Sequence, residues 1–148
     1  MNSKIALIGI VISIFSANVY SQDLAPSQVP SLVTNKFKQT FPNATDVEWE
    51  LKGSLYNVEF EEGNSDDQEA WFDGTGKMVK HKMEISGKML PETVKATIKK
   101  DFSEYAIDDA EKITNNGVVT YKVELENFTQ EWKVTFDSNG KVLEKKND

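Results

Sequence analysis

The stretch Phe72-Asp73-Gly74-Thr75-Gly76-Lys77 comes back as Phe136-Asp137-Ser138-Asn139-Gly140-Lys141, and the residues around the two copies repeat with it. Met78-Val79 corresponds to Val142-Leu143, Tyr56-Asn57-Val58-Glu59 to Tyr121-Lys122-Val123-Glu124, and Val29-Pro30 to Leu90-Pro91, a period of about 60 residues. A chain that repeats on this scale is expected to be two copies of one supersecondary unit. Reading one unit therefore predicts most of the architecture.

Each unit opens at a proline, which suits the first turn of a helix. Leu32, Val33, Phe37 and Phe41 then recur at helical spacing in the first copy, and Val94, Ile98 and Phe102 in the second. Lys36 and Lys38, and Lys95, Lys99 and Lys100, fall on the opposite faces, and Pro42 ends the first helix. The period then changes to two. Val47, Trp49 and Leu51 alternate with Asp46, Glu48 and Glu50, then Tyr56, Val58 and Phe60 with Asn57, Glu59 and Glu61. Gln68 to Phe72 and Met78 to Ile85 supply a third and a fourth strand across the Asp73–Gly76 turn. In the second copy a weak strand near Ala110 to Thr114 precedes the Asn116-Gly117 turn. Val119, Tyr121, Val123 and Leu125 then alternate with Thr120, Lys122, Glu124 and Glu126, and Trp132, Val134 and Phe136 with Glu131, Lys133 and Thr135. A last strand runs from Lys141 to Lys146.

Connections this short make neighbouring strands antiparallel. The expected fold is α+β, with two tandem repeats of a helix and a four-stranded antiparallel meander, residues 29–85 and 90–146, forming a single domain over 29–148. One helix per unit covers one sheet face only. Both helices are therefore expected on one side of an open sheet of up to eight strands, with the polar face bare.

Residues 1–21 read as a secretory leader: Lys4, an apolar run from Ile5 to Phe15, and Val19-Tyr20-Ser21 before Gln22. The run is shorter than the ~20 apolar residues a membrane span requires. About 127 residues then remain, an ordinary domain size, with 22–28 expected to be a flexible mature N-terminus. The chain has no cysteine, hence no lipobox thiol, disulfide or thiolate chemistry. A single histidine, His81, excludes a zinc site built from several imidazoles. All 17 cationic side chains are lysine, set against 24 acids. An acidic chain without arginine is poorly suited to nucleic acid, and it favours a basic partner or a cation instead. Export to the periplasm or beyond is the expected location.

Two tandem helix-plus-meander units with this repeated turn, behind a secretory leader, resemble the PepSY-like family, also described as beta-lactamase-inhibitor-like. The residues carrying the resemblance are Pro30 to Pro42, Trp49, Tyr56-Asn57-Val58 and Phe72 to Lys77, then Pro91 to Phe102, Tyr121-Lys122-Val123 and Phe136 to Lys141. The resemblance implies a periplasmic or secreted, non-enzymatic protein that grips another protein through its exposed sheet face and nearby loops. The inhibitor proteins carry disulfides, which this chain cannot form, so a beta-lactamase target does not transfer with the resemblance.

Candidate chemistry concentrates on the polar strand faces. Trp71, if Ala70 and Phe72 point to the helices, stands on the open face beside Glu69 as an interface anchor, although a bulge at the hairpin would turn it inward. Glu48, Glu50, Glu59, Glu61 and Glu69, with Lys122 and Glu124 from the second copy, complete the expected partner-binding surface, and the partner is an unidentified protein or peptide. The alternative is a cell-envelope binder of a small ligand or of calcium. The Asp73 and Asp137 loops lack the EF-hand pattern, so a hairpin turn is the plainer reading and no metal ligands, catalytic residues or cofactor are expected. A third class, self-assembly through a sheet edge, follows from any open sheet. His81, Trp49 and Trp132 are expected in or beside the core.

Overall fold

The computed structural model describes residues 21–63 and 65–147. The expected leader lies outside the described residues, apart from Ser21. Strand β1 is Ser21–Leu24, helix α1 Ser31–Thr40, and strands β2 to β5 are Thr45–Lys52, Leu55–Glu62, Ser65–Phe72 and Met78–Glu84. Helix α2 is Glu92–Asp101, followed by β6 to β9 at Ala106–Asn115, Val118–Glu126, Glu131–Asp137 and Val142–Asn147. The nine strands form one antiparallel sheet in chain order.

Both helices start after a proline whose φ, −53° at Pro30 and −55° at Pro91, already fits helical entry. Each ends at a phenylalanine: the N–H of Phe41 reaches the Phe37 carbonyl, and that of Phe102 reaches Ile98. Val33 and Phe37 of α1 pack on Trp49, Val58, Phe60, Ala70 and Phe72, while Val94 and Ile98 of α2 pack on Ala110, Val123, Leu125, Val134 and Phe136. Burial of each such side chain stabilises the fold by roughly 1.5–3 kcal/mol. Leu32, expected on the apolar stripe, is instead 62% exposed.

Register places both cores on the same side. Gln68 pairs with Met83, Met83 with Lys112, Lys112 with Tyr121 and Tyr121 with Phe136, so one sheet face runs from beneath α1 to beneath α2. The β5–β6 pairing, from Lys80↔Asn115 to Glu84↔Glu111, makes the two halves one sheet.

The repeated turn is what clasps each helix to its hairpin. Asp73 Oδ1 accepts from the N–H groups of Thr75 (2.9 Å) and Lys77 (3.1 Å), and Asp137 Oδ1 from those of Asn139 and Lys141 (both 2.9 Å). The Asp73 carboxyl is held below its usual range by the Thr75 hydroxyl and these backbone donors. Gly76 (φ +85°) and Gly140 (φ +80°) then lie against the helix carbonyls of Leu32 and Thr93, where no side chain fits.

The structure departs from the sequence reading at four strands. Gln22 to Leu24, expected to be loose, belong to an edge strand whose register runs Ser21↔Lys52 to Leu24↔Trp49, which makes nine strands rather than eight. Strand β6 begins at Ala106, and β4 at Ser65, both earlier than the side-chain pattern suggests. Asp46 adopts φ +49° at a register shift between Thr45 and Glu48, which leaves Val47 exposed instead of in the core.

Candidate functional site: the open sheet face

Alternation away from the cores puts Glu48, Glu50 and Lys52 of β2 on the uncovered face, with Asn57, Glu59 and Glu61 of β3 and Asp67, Glu69 and Trp71 of β4. Lys80, Lys82 and Glu84 of β5, Glu111 of β6, Lys122 and Glu124 of β7, and Lys133 of β8 continue it. Every residue expected on the binding surface stands on this one face.

The hairpin does carry the bulge that threatened to turn Trp71 inward. Trp71 pairs with Lys80 and Phe72 with Met78, so the extra residue is Val79 on the partner strand, and Trp71 keeps its outward side. Its indole is half-buried because the lysines lean over it, Lys80 Nζ at 4.3 Å from the ring centroid and Lys52 Nζ at 6.0 Å.

Lysines also link the carboxylates. Lys52 Nζ lies 3.0, 3.8 and 3.5 Å from Glu50, Glu59 and Glu69, and Lys82 Nζ 2.9 and 3.4 Å from Glu69 and Glu111. Lys122 reaches Glu111 at 3.9 Å and Lys133 reaches Glu124 at 3.7 Å. The face is therefore mixed in charge along most of its length. Burial opposes the charges of Lys52 and Lys82, but the carboxylates around each outweigh it and hold both ammonium groups above their ordinary range.

Glu48 pairs directly with Glu59, and Glu59 with Glu69, giving a cross-strand row of three carboxylates. Like charges directly opposite each other destabilise a sheet. The strain shows in the titration of the row: the hydrogen bond to Glu69, with burial added, pushes Glu59 above its ordinary range. Burial alone would also raise Glu69, but Lys82, the hydrogen bond with Glu59 and Lys52 bring it below its ordinary value.

Beyond this row the balance turns acidic. A hollow of about 530 Å³ is lined by nine carboxylate residues, Glu48, Glu61, Asp67 and Asp109 among them, against the single ammonium of Lys82. These four have no ion-pair partner among the described residues. No group of three or more His, Cys, Asp or Glu side chains among the described residues is placed to hold a metal ion.

Sequence reasoning missed Lys52, Lys80 and Lys82, which neutralise much of the face, and it missed Asn57. That amide is fully buried although its strand position faces outward. Its Nδ2 reaches the Ala70 carbonyl at 3.5 Å, while its Oδ1 has no hydrogen-bond partner among the described residues. Strand parity alone marks all four as open-face residues; that Asn57 is buried follows only from the side chains around it. His81 belongs to the helix-side face, with Nε2 2.9 Å from Gln68 Oε1 and its ring 5.2 Å from that of Phe41.

Comparison with known proteins bears on the fold first. The sequence model of the family described as "Putative beta-lactamase-inhibitor-like, PepSY-like" matches residues 17–65 and again 54–144. The chain belongs to this family. No curated protein matches it in sequence. A BLIP-like protein from Bacteroides fragilis superimposes with a TM-score of 0.67 at 24% identity, over 84% of this chain and 87% of the other. A DUF2874 family protein from Bacteroides uniformis gives 0.69 at 20% identity over 80% and 88%. A Bacteroides eggerthii structure described as "putative periplasmic proteins" gives 0.70 at 17% identity over 80% and 88%. These likenesses establish the PepSY-like fold. No helix among the described residues is long and apolar enough to cross a membrane.

Proposed function

We propose that this PepSY-like chain is a non-enzymatic binding module of the periplasm or the cell exterior, and that its open sheet face receives a basic protein or peptide. The carrying observation is the hollow whose lining holds Glu48, Glu61, Asp67 and Asp109 with no ion-pair partner among the described residues. Uncompensated charge of one sign attracts and orients an oppositely charged partner. Trp71 and Glu50 adjoin this hollow, and Lys122 and Glu124 extend the surface across β7. On this reading residues 1–21 are a removable leader, and 29–85 and 90–146 are duplicated units that together build one wide face.

Two adjacent carboxyls whose pKa values are pushed apart are also how some catalytic dyads are poised. Here Glu59 and Glu69 lie on an open sheet with Lys52 reaching both and Lys82 reaching Glu69, an arrangement suited to holding charge on a surface. The calcium alternative has less support, because the Asp73 and Asp137 carboxylates are engaged by their own turns.

The test is capture from a native cell-envelope extract with the chain as bait, beside a Glu48→Lys/Glu61→Lys/Asp67→Lys bait. A partner with a basic surface, retained by the first bait and lost with the second, is the expected result. A partner retained equally by both removes the acidic face from the binding site.

A further inference from the structure

We propose that the group this face takes from its partner is an arginine guanidinium, seated over Asn57 between the Trp71 indole and the Glu59–Glu69 pair, where Lys52 now lies. The inference rests on the basic-partner reading above and specifies its chemistry.

Three kinds of acceptor converge here. The first is the pair of carboxylates on adjacent strands, Glu59 and Glu69, in direct register. The second is the Trp71 ring, already facing two cations. The third, independent of charge, is the orphaned Oδ1 of Asn57, which is opposite Trp71 in register and wholly buried on the open-face side of β3. Leaving a buried acceptor unpaired is unfavourable, and such a group awaits a donor.

The chain's own cation satisfies this set poorly. Lys52 is divided among Glu50, Glu59 and Glu69, with only the first contact as short as 3.0 Å, and it stands off the Trp71 ring at 6.0 Å. An ammonium has three donors arranged around one point. A guanidinium offers five in a plane, enough to bridge two carboxylates, stack on an indole and turn an N–H toward an amide oxygen together. Since this chain contains no arginine, any guanidinium seated here comes from outside it.

The test uses short capped peptides of alternating Thr and Val carrying two arginines, with lysine and citrulline counterparts, titrated into the mature chain by calorimetry and by ¹⁵N NMR. The arginine peptide is expected to bind roughly tenfold more tightly than the lysine peptide, and to shift the Trp71 indole and Asn57 amide signals. Lys52→Met, which vacates the seat at a partly exposed position, is expected to tighten arginine binding. Trp71→Leu is expected to bring the arginine and lysine affinities together. Equal affinity for the arginine and lysine peptides overturns the guanidinium assignment while leaving the basic-partner reading standing, and so does weaker arginine binding by Lys52→Met. Equal binding of citrulline, or no binding of any peptide, overturns both.

Discussion

Gly140→Ala probes the clasp between turn and helix, and its cost separates into two parts that other glycines isolate. A Cβ at Gly140 would lie 2.7 Å from the Thr93 carbonyl carbon and 2.9 Å from Thr97 Oγ1, with the Thr93 oxygen closer still. The backbone at φ +80° adds a conformational penalty, roughly 1–2 kcal/mol for a residue with a Cβ. The obstruction is helix backbone, so α2 must shift, and overpacking of this kind costs typically ~1–3 kcal/mol. The sum is roughly 2–5 kcal/mol, or about 6–25 °C in Tm for a domain of this length. Gly117→Ala carries a similar φ of +83° with nothing within 4 Å, so it should show the conformational part alone. Gly74→Ala has neither feature and should be close to neutral. Urea and thermal unfolding of the three variants measure the difference. If Gly140→Ala costs no more than Gly117→Ala, the helix does not lean on the turn and the clasp is refuted.

Glu59→Gln should raise Tm at about pH 8 and have little effect at about pH 3. The raised folded-state value of Glu59 contributes stability below the ordinary glutamate value of 4.5, and that contribution is lost as pH rises through the folded value. A variant no more stable than the parent at the higher pH would contradict the upward shift of Glu59. His81 should titrate below the ordinary value of 6.5, because burial first, and Lys112 with it, disfavours the imidazolium. Its contribution to stability is therefore present above 6.5 and lost as pH falls through the folded value, and an NMR midpoint at or above 6.5 would refute the packing described for it. Phe37→Ala should cost about 3–5 kcal/mol in urea unfolding, since the ring meets Phe60 at 5.1 Å and Trp49 at 5.3 Å. A loss below about 1 kcal/mol would mean that α1 is not seated as described.

Side-chain alternation made most of the sheet legible, because a one-residue slip would carry Val58 or Val123 to the solvent side. Elements held by backbone pairing were not legible. β1 offers Ser21-Gln22-Asp23-Leu24, with no apolar period, yet it completes the edge of β2 through its main chain. Ala106 to Asp109 conceal the start of β6 for a similar reason, since the register shifts between Ile107 and Asp109. At the open face, period two correctly collected the glutamates and Trp71. It could not show that Lys52 reaches three carboxylates, because ion pairs between strands depend on register and rotamer together.

The two sides of the sheet differ in how readily they can change. On the helix side, Phe72 and Phe136 are fully buried, and the helices are pinned by close backbone contacts at Gly76 and Gly140, so rearrangement there would cost several kcal/mol. On the open side the ordering forces are partly exposed ion pairs, each worth typically ~0–1 kcal/mol. Lys52, Lys80 and Lys82 can therefore exchange partners without disturbing the register that aligns Glu48, Glu59 and Glu69. A fixed row of carboxylates over a rigid core, served by lysines that are inexpensive to move, is the combination a cationic partner requires: the acceptors are already placed, and the cations in the way leave readily. Salt sensitivity of partner binding without matching salt sensitivity of unfolding is the behaviour this division of roles produces.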